Sequence, residues 1–269
     1  MQVTLQKYQA LGNDFLVYDL AQGKPSLPWA DLAEQWCNRR FGIGADGVLL
    51  LENHGGRRLA MALYNADGSK AEISGNGIRC LVQAAHRSDG SPVGVSYTVS
   101  TDAGVRVVEV VSDNLCGVIA ASVEMGVVSD LEAPENWASV GCHPDRPVSH
   151  LSLGNPHSVV GVDDVQAVDL KTLGEKVPHV NLEIVEPGPE PHAVTMRVHE
   201  RGAGITLACG SGACASAFAA LSWGLVPSST EEVLVHMEGG DARVRIDRAS
   251  RLATLVGPSE FIADISVRV

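Results

Sequence analysis

Two stretches of this 269-residue chain read as copies of one device, and that duplication confines the chain to folds built from two similar halves. In the first, Asn65-Ala-Asp-Gly68 leads to Ser74-Gly-Asn-Gly77 and then a small, largely apolar segment ending near Gly90. In the second, Glu200-Arg-Gly-Ala-Gly204 leads to Cys209-Gly-Ser-Gly212 and then an Ala-rich segment ending near Gly224. Asn65 precedes Ser74 by nine positions, and Glu200 precedes Cys209 by nine. Further upstream, Gly12-Asn13 is answered by Gly154-Asn155, and Asp46 and Asn181 each stand nineteen positions before the residue that opens their cassette. Paired half-sites of this kind predict a cleft in which one ligand is gripped from opposite sides. One half offers a hydroxyl where the other offers a thiol.

The chain is long enough for two ordinary domains, and its 45% hydrophobic content fills two cores. Only 4% of residues are aromatic, so those cores are built from Val, Leu, Ile and Ala. The net charge of −12 argues against a nucleic-acid or anionic-membrane partner. Met1 to Leu20 lacks the basic-then-apolar layout of a signal peptide, and no apolar run has the length of a membrane span. Six cysteines without CxxC or scaffold spacing fit a reduced, cytoplasmic protein, and Cys37, Cys80, Cys116, Cys142 and Cys214 are expected to be packing residues.

Strand-like alternation dominates the remainder. An amphipathic helix is expected over Trp29–Arg40, helical segments after Ser74 and Cys209, and a long hairpin loop at Glu186 to Pro191. The final strands are read as two pieces, Thr254 to Val256 and Ile262 to Val269. The expected class is α+β, with two pseudo-symmetric lobes, each a mostly antiparallel sheet around a central helix. The N-terminal lobe is placed at 1–118 with a returning strand at 258–269, and the C-terminal lobe at 119–257.

Rival motifs fail on context. Gly42-Ile-Gly-Ala-Asp-Gly47 fits a dinucleotide fingerprint but runs into a strand-like segment rather than a helix. Ser74 lacks the nucleophile-elbow pattern, because Glu stands at position 72. No phosphate loop is present, and no His/Cys group has metal-ligand spacing.

The Gly-x-Gly after each cap lets the backbone turn sharply and approach a ligand. A helix start exposes unpaired N–H groups and partial positive charge, which suit a carboxylate or a developing carbanion. The same field is expected to lower the pKa of Cys209 towards neutrality. Two such starts sharing one α-carboxylate, with a proton acceptor on one face of the α-carbon and a donor on the other, suit amino-acid racemisation without a cofactor. Cys209 alone also reads as a small buried residue at a turn, and Ser74 as a helix cap and nothing more.

The chain resembles the diaminopimelate epimerases, within the proline-racemase-like group. The resemblance rests on Leu11-Gly-Asn-Asp-Phe15, Phe41-Gly-Ile-Gly-Ala-Asp-Gly47, Asn65-Ala-Asp-Gly-Ser69, Ser74-Gly-Asn-Gly77, Gly154-Asn-Pro-His157, Glu200-Arg-Gly-Ala-Gly204 and Ala208-Cys-Gly-Ser-Gly-Ala213, in family order. It implies a homodimer without cofactor or metal that interconverts LL- and meso-2,6-diaminopimelate, on the route to lysine and peptidoglycan. It further implies that Cys209 and Ser74 are the catalytic pair, and that Asn13, Asn65, Asn155, Asn181, Glu200 and Arg201 contact the substrate. Gly75, Asn76, Gly210 and Ser211 would offer backbone N–H groups to its reacting carboxylate. His157, with Glu200, would tune protonation.

Three departures from the family pattern stand out. Ser74 occupies the place of the first catalytic cysteine, Ile205 replaces a glutamate in Gly-Glu-Thr, and Ser158 replaces the cysteine of Asn-Pro-His-Cys. They leave open a paralogous racemase or eliminating enzyme for another amino acid, or an inactive amino-acid-binding homologue.

Overall fold

A computed structural model describes residues 2–114 and 116–268. The chain is α+β and strand-rich. It divides into two compact units, one comprising Met1–Val123 with Gly257–Val269, the other Glu124–Val256.

In the first unit, β1 (Gln2–Ala10) and β2 (Asn13–Asp19) form a hairpin, followed by α1 (Trp29–Cys37), β3 (Gly47–Asn53), β4 (Arg58–Asn65) and the short β5 (Lys70–Ala71). Then come α2 (Gly75–Asp89), β6 (Ser96–Thr101), β7 (Gly104–Asp113) and β8 (Val118–Val127). The second unit holds β9 (Ser129–Asp130), α3 (Trp137–Val140), β10 (Val148–Ser152), β11 (Pro156–Gly161), α4 (Leu170–Gly174), β12 (Asn181–Pro187), β13 (Ala193–Glu200) and β14 (Gly204–Thr206). It continues through α5 (Gly210–Trp223), β15 (Val233–Met237) and β16 (Gly240–Ile246) into β17 (Leu252–Arg268).

Within the first unit the strands close into an eight-membered barrel. β1 pairs with β2, β2 with β3, β3 with β4, β4 with β6, β6 with β7 and β7 with β8. β17 joins β8 and, through Gln2↔Arg268 to Gln9↔Glu260, closes on β1. The second unit repeats the sequence of pairings. β10–β11 is antiparallel, β11–β12 parallel, β12–β13 antiparallel, β13–β15 parallel, and β15–β16 and β16–β17 antiparallel. The sheets are mostly antiparallel, with two parallel steps in each unit. Each such step carries a crossover, and a long helix occupies the crossovers after β4 and β13.

Apart from their last turns, those helices are buried on every face, as helices enclosed by a sheet must be. Ile78, Leu81, Val82 and Ala85 of α2 have no more than traces of exposure, and the same holds for Ala213, Ala215, Ala217 and Ala220 of α5. Both stop at a glycine in the left-handed region, Gly90 at φ 59° and Gly224 at φ 75°.

Three local expectations need correction. α1 ends at Cys37, three residues short of Arg40, because Asn38 leaves helical geometry and its side chain accepts from the amides of Arg40 and Phe41. The two closing strands are one, β17, running through Pro258. Cys116 is exposed and Cys142 partly so, unlike the packed Cys37, Cys80 and Cys214. No helix among the described residues is long and apolar enough to cross a membrane.

Candidate active site

Ser74 and Cys209 hold equivalent backbone positions. Each is the N-cap of its unit's buried helix, at φ −133°, ψ 124° and φ −131°, ψ 115° respectively. The Ser74 hydroxyl accepts from the Gly77 amide at 3.0 Å, and the Cys209 sulfur from the Gly212 amide at 3.4 Å. Cap and fourth residue thus satisfy each other, as helix starts require, leaving the amides of Gly75, Asn76, Gly210 and Ser211 without an intrahelical acceptor. These are the four residues expected to hold a carboxylate.

In the first unit, Asn13 donates its amide to Asp46 at 2.5 Å, and Asp46 also accepts from the Asp14 amide. Asp14 is bracketed by Lys7 at 2.7 Å and Arg39 at 2.5 Å. Burial pushes its carboxyl up, but the two cations outweigh burial and hold it below the ordinary range. Asn65 is exposed at the end of β4 and donates to Ser69 at 3.0 Å. Ser74 itself is half-buried and bonded to its own helix, with no hydrogen bond to Asn13 or Asn65. Asn76 is buried and accepts from Arg79 at 2.5 Å. Arg79 also donates to the carbonyls of Gly75 and Pro258, tying the first turn of α2 to β17. Sequence reasoning missed Arg79; its signal is a guanidinium one turn into a segment otherwise read as apolar.

The second unit draws its predicted residues closer together. Asn155 donates to Ser211 at 3.2 Å and faces His157 Nε2 at 3.0 Å. Ser211 Oγ lies 3.6 Å from the Cys209 sulfur. Asn181 donates to the Pro156 carbonyl and accepts from the Arg201 amide, pinning the loops before β11 and after β13. Glu200 accepts from Thr206 at 2.5 Å, while the Arg201 side chain is exposed. Two of the departures from the family pattern lie at β14 and β11. Ile205 sits part-exposed on β14 opposite His199, and buried Ser158 bonds His150 at 3.0 Å.

One residue that sequence reasoning passed over lies at the centre of this half. Glu183 of β12 is fully buried, and its Oε1 stands 2.6 Å from His157 Nδ1. The expected lowering of the Cys209 pKa is overturned. The thiol is 5% exposed, and burial first, then Glu200 and Glu183, push it well above its ordinary value. The Gly212 amide and Ser211 oppose that rise and do not offset it. At rest Cys209 is a thiol.

The whole fold is shared with solved structures of low sequence identity. It matches a phenazine biosynthesis protein of the PhzF family from Bacillus anthracis with a TM-score of 0.75 at 13% identity, covering 100% of both chains. It matches a hydroxyproline epimerase from Agrobacterium vitis with a TM-score of 0.65 at 16% identity, covering 99% of this chain and 92% of that one. The architecture is therefore that of the phenazine-biosynthesis and hydroxyproline-epimerase proteins.

Sequence narrows the class. The model of the diaminopimelate epimerase family matches residues 5–130 and 150–262. The diaminopimelate epimerase of Thermosynechococcus vestitus is 39% identical, over 96% of this chain and 97% of its own length. That of Rippkaea orientalis is 35% identical over 97% and 98%. The chain belongs to the diaminopimelate epimerase family, a family of isomerases.

Proposed function

We propose that the protein interconverts LL- and meso-2,6-diaminopimelate by removing and returning the α-proton, with Cys209 and Ser74 as the two proton carriers. The reading is carried by Cys209, a buried thiol capping a buried helix whose first amides are free to take a carboxylate. Full-length likeness to diaminopimelate epimerases supports the substrate. Placing negative charge at a helix start stabilises the carbanion that forms when the α-proton leaves. Arg201 is exposed and able to bind a distal carboxylate bidentately. Asn13, Asn65, Asn155 and Asn181 supply donors and acceptors for the distal amino-acid end, and Glu200 and His157 tune protonation. A hydroxyl holds its proton more tightly than a thiol, so Ser74 acts as donor more readily than as base. The two units repeat one order of strand pairings, and a homodimer in the cytoplasm is the expected working form.

The test is α-proton exchange in heavy water across a panel of amino acids. Deuterium entering diaminopimelate supports this reading. Exchange confined to another amino acid replaces the substrate, and tight binding without exchange on any of them rejects the enzyme.

A further inference from the structure

Glu183 interrupts an apolar run, Leu182 to Val185, in a strand paired along both edges and buried on both faces. A buried carboxyl is costly unless it is paired. The first unit shows that the fold does not require one. Beneath the start of α2, the nearest atom to a Cβ placed on Gly77 is Leu49 Cδ2, at 3.2 Å; beneath the start of α5, the nearest to a Cβ on Gly212 is Glu183 Oε1, at 2.7 Å. His157 likewise follows Gly154-Asn155 as the apolar Phe15 follows Gly12-Asn13. Where the first unit has two apolar residues, the second has an ionisable pair at the start of its helix.

The hydrogen bonds count the protons. Asn155 donates its amide N–H to Ser211, so its oxygen faces His157 Nε2, which must carry hydrogen. The 2.6 Å contact between Nδ1 and Oε1 then holds one further proton, on either atom, and the pair is net neutral both ways. Glu183 Oε2 has no partner among the described residues. The carboxyl and the sulfur flank one glycine: Oε1 and Cys209 Sγ stand 2.7 and 3.2 Å from the position a Cβ on Gly212 would take.

We propose that Glu183 is a positioning residue for the reaction, which, sharing one proton with His157, holds Cys209 as a thiol at rest and makes it a strong base once its proton has left. With serine at the other cap, the two carriers differ widely in proton affinity. An acid under the thiol raises its affinity and narrows that gap, so that protons pass in both directions. Burial raises the Glu183 carboxyl and His157 opposes the rise, in keeping with a shared proton. Facing this group are His157 from β11, Glu200 from β13 and Cys209 from α5. The other titratable groups on the surrounding strands are engaged elsewhere: His150 with Ser158, His236 with Glu190 and Asp241, Arg243 and Arg245 with Glu232, while His199 packs on Gly174.

The inference rests on the epimerase reading, and one measurement separates them. Site-resolved alkylation of Cys209 against pH reads the thiol without substrate. In Glu183→Gln the midpoint is expected to fall by about one pH unit, since an amide neither shares the pair's proton nor carries negative charge beside the sulfur. The kcat is expected to fall about tenfold with KM within about twofold, as for loss of a residue that orients a catalytic group. In a Ser74→Cys background the same substitution should cost less than about threefold, because the carriers already match; a purely structural role would cost the same in both. The double variant Glu183→Leu with His157→Phe, which copies the first unit, should melt near the parent while losing exchange. An alkylation profile for Glu183→Gln superimposable on the parent's, or parent-like exchange in the double variant, overturns the role of Glu183. A parent that exchanges no amino acid rejects the epimerase reading instead.

Discussion

At the start of α2 a hydroxyl caps the helix above Leu49; at the start of α5 a thiol caps it above Glu183 and His157. The backbone at the two caps agrees within about ten degrees. What differs is the floor. An apolar floor is sufficient to seat a helix inside a barrel, so the ionisable floor of the second unit is explained by chemistry rather than by packing. The first unit places its acids away from the cap, in the Lys7–Asp14–Arg39–Asp46 cluster, where cations pair them, and its one charge in the first turn of α2 is the buried guanidinium of Arg79. One repeated order of strands thus supports two electrostatic designs, and in the second the buried acids push the cap thiol upward.

The contrast is broken most completely at the caps. Cys209→Ala is expected to abolish α-proton exchange, a loss of about a hundredfold or more, the usual contribution of a positioned acid–base group. Exchange at the parent rate would remove the thiol from the reaction. Ser74→Cys, by supplying a carrier with a better-matched proton affinity, is expected to preserve or raise the exchange rate. Ser74→Ala leaves the Gly77 amide uncapped and should cost about 0.5–2 kcal/mol in a urea melt as well as slowing exchange; a parent-like rate would reduce Ser74 to a cap.

The floors are sharpened by the glycines above them. Gly212→Ala drives a methyl against Glu183 Oε1 at 2.7 Å, inside a fully buried pair, and is expected to destabilise the protein by about 1–3 kcal/mol. Gly77→Ala meets the end of Leu49 at 3.2 Å, where a flexible side chain gives way. It should stay within about 1 kcal/mol of the parent, helped by the entropy that glycine costs a helix. Equal losses at the two positions, read by urea unfolding, would show that the floors are mechanically alike.

Much of this was legible before any coordinates. The repeated spacing around Ser74 and Cys209 announced two equivalent helix starts, because Gly-x-Gly followed by small residues has few other uses. Both helices form there. The parallel strand steps were illegible, since a buried strand reads the same whether its neighbour runs with it or against it. Glu183 was hidden for a related reason. One acid in an apolar run looks like the exposed face of a strand, and only the burial of both faces of β12 in the fold shows that it is not. The sign of the Cys209 shift failed because the helix field was weighed without the burial and the two glutamates that oppose it.

The smallest expected effect concerns pH, and here the two units respond with opposite sign. Asp14 has a lowered pKa in the folded protein, so its contribution is present above its unfolded value of 3.8 and is lost as pH falls through the lower folded one. Glu183 has a raised pKa, so the folded state binds its proton more tightly than the unfolded chain does. Its contribution is full below the unfolded value of 4.5 and declines as pH rises from there towards the folded value. Glu183→Gln removes that decline. Urea midpoints measured at pH 5 and pH 8 should therefore fall less between the two for Glu183→Gln than for the parent, while Asp14→Asn should leave that difference unchanged, because Asp14 titrates below the interval. Parallel behaviour of parent and Glu183→Gln would mean that the buried carboxyl under Cys209 ionises as freely as one in water, and the electrostatic distinction between the two helix starts would disappear.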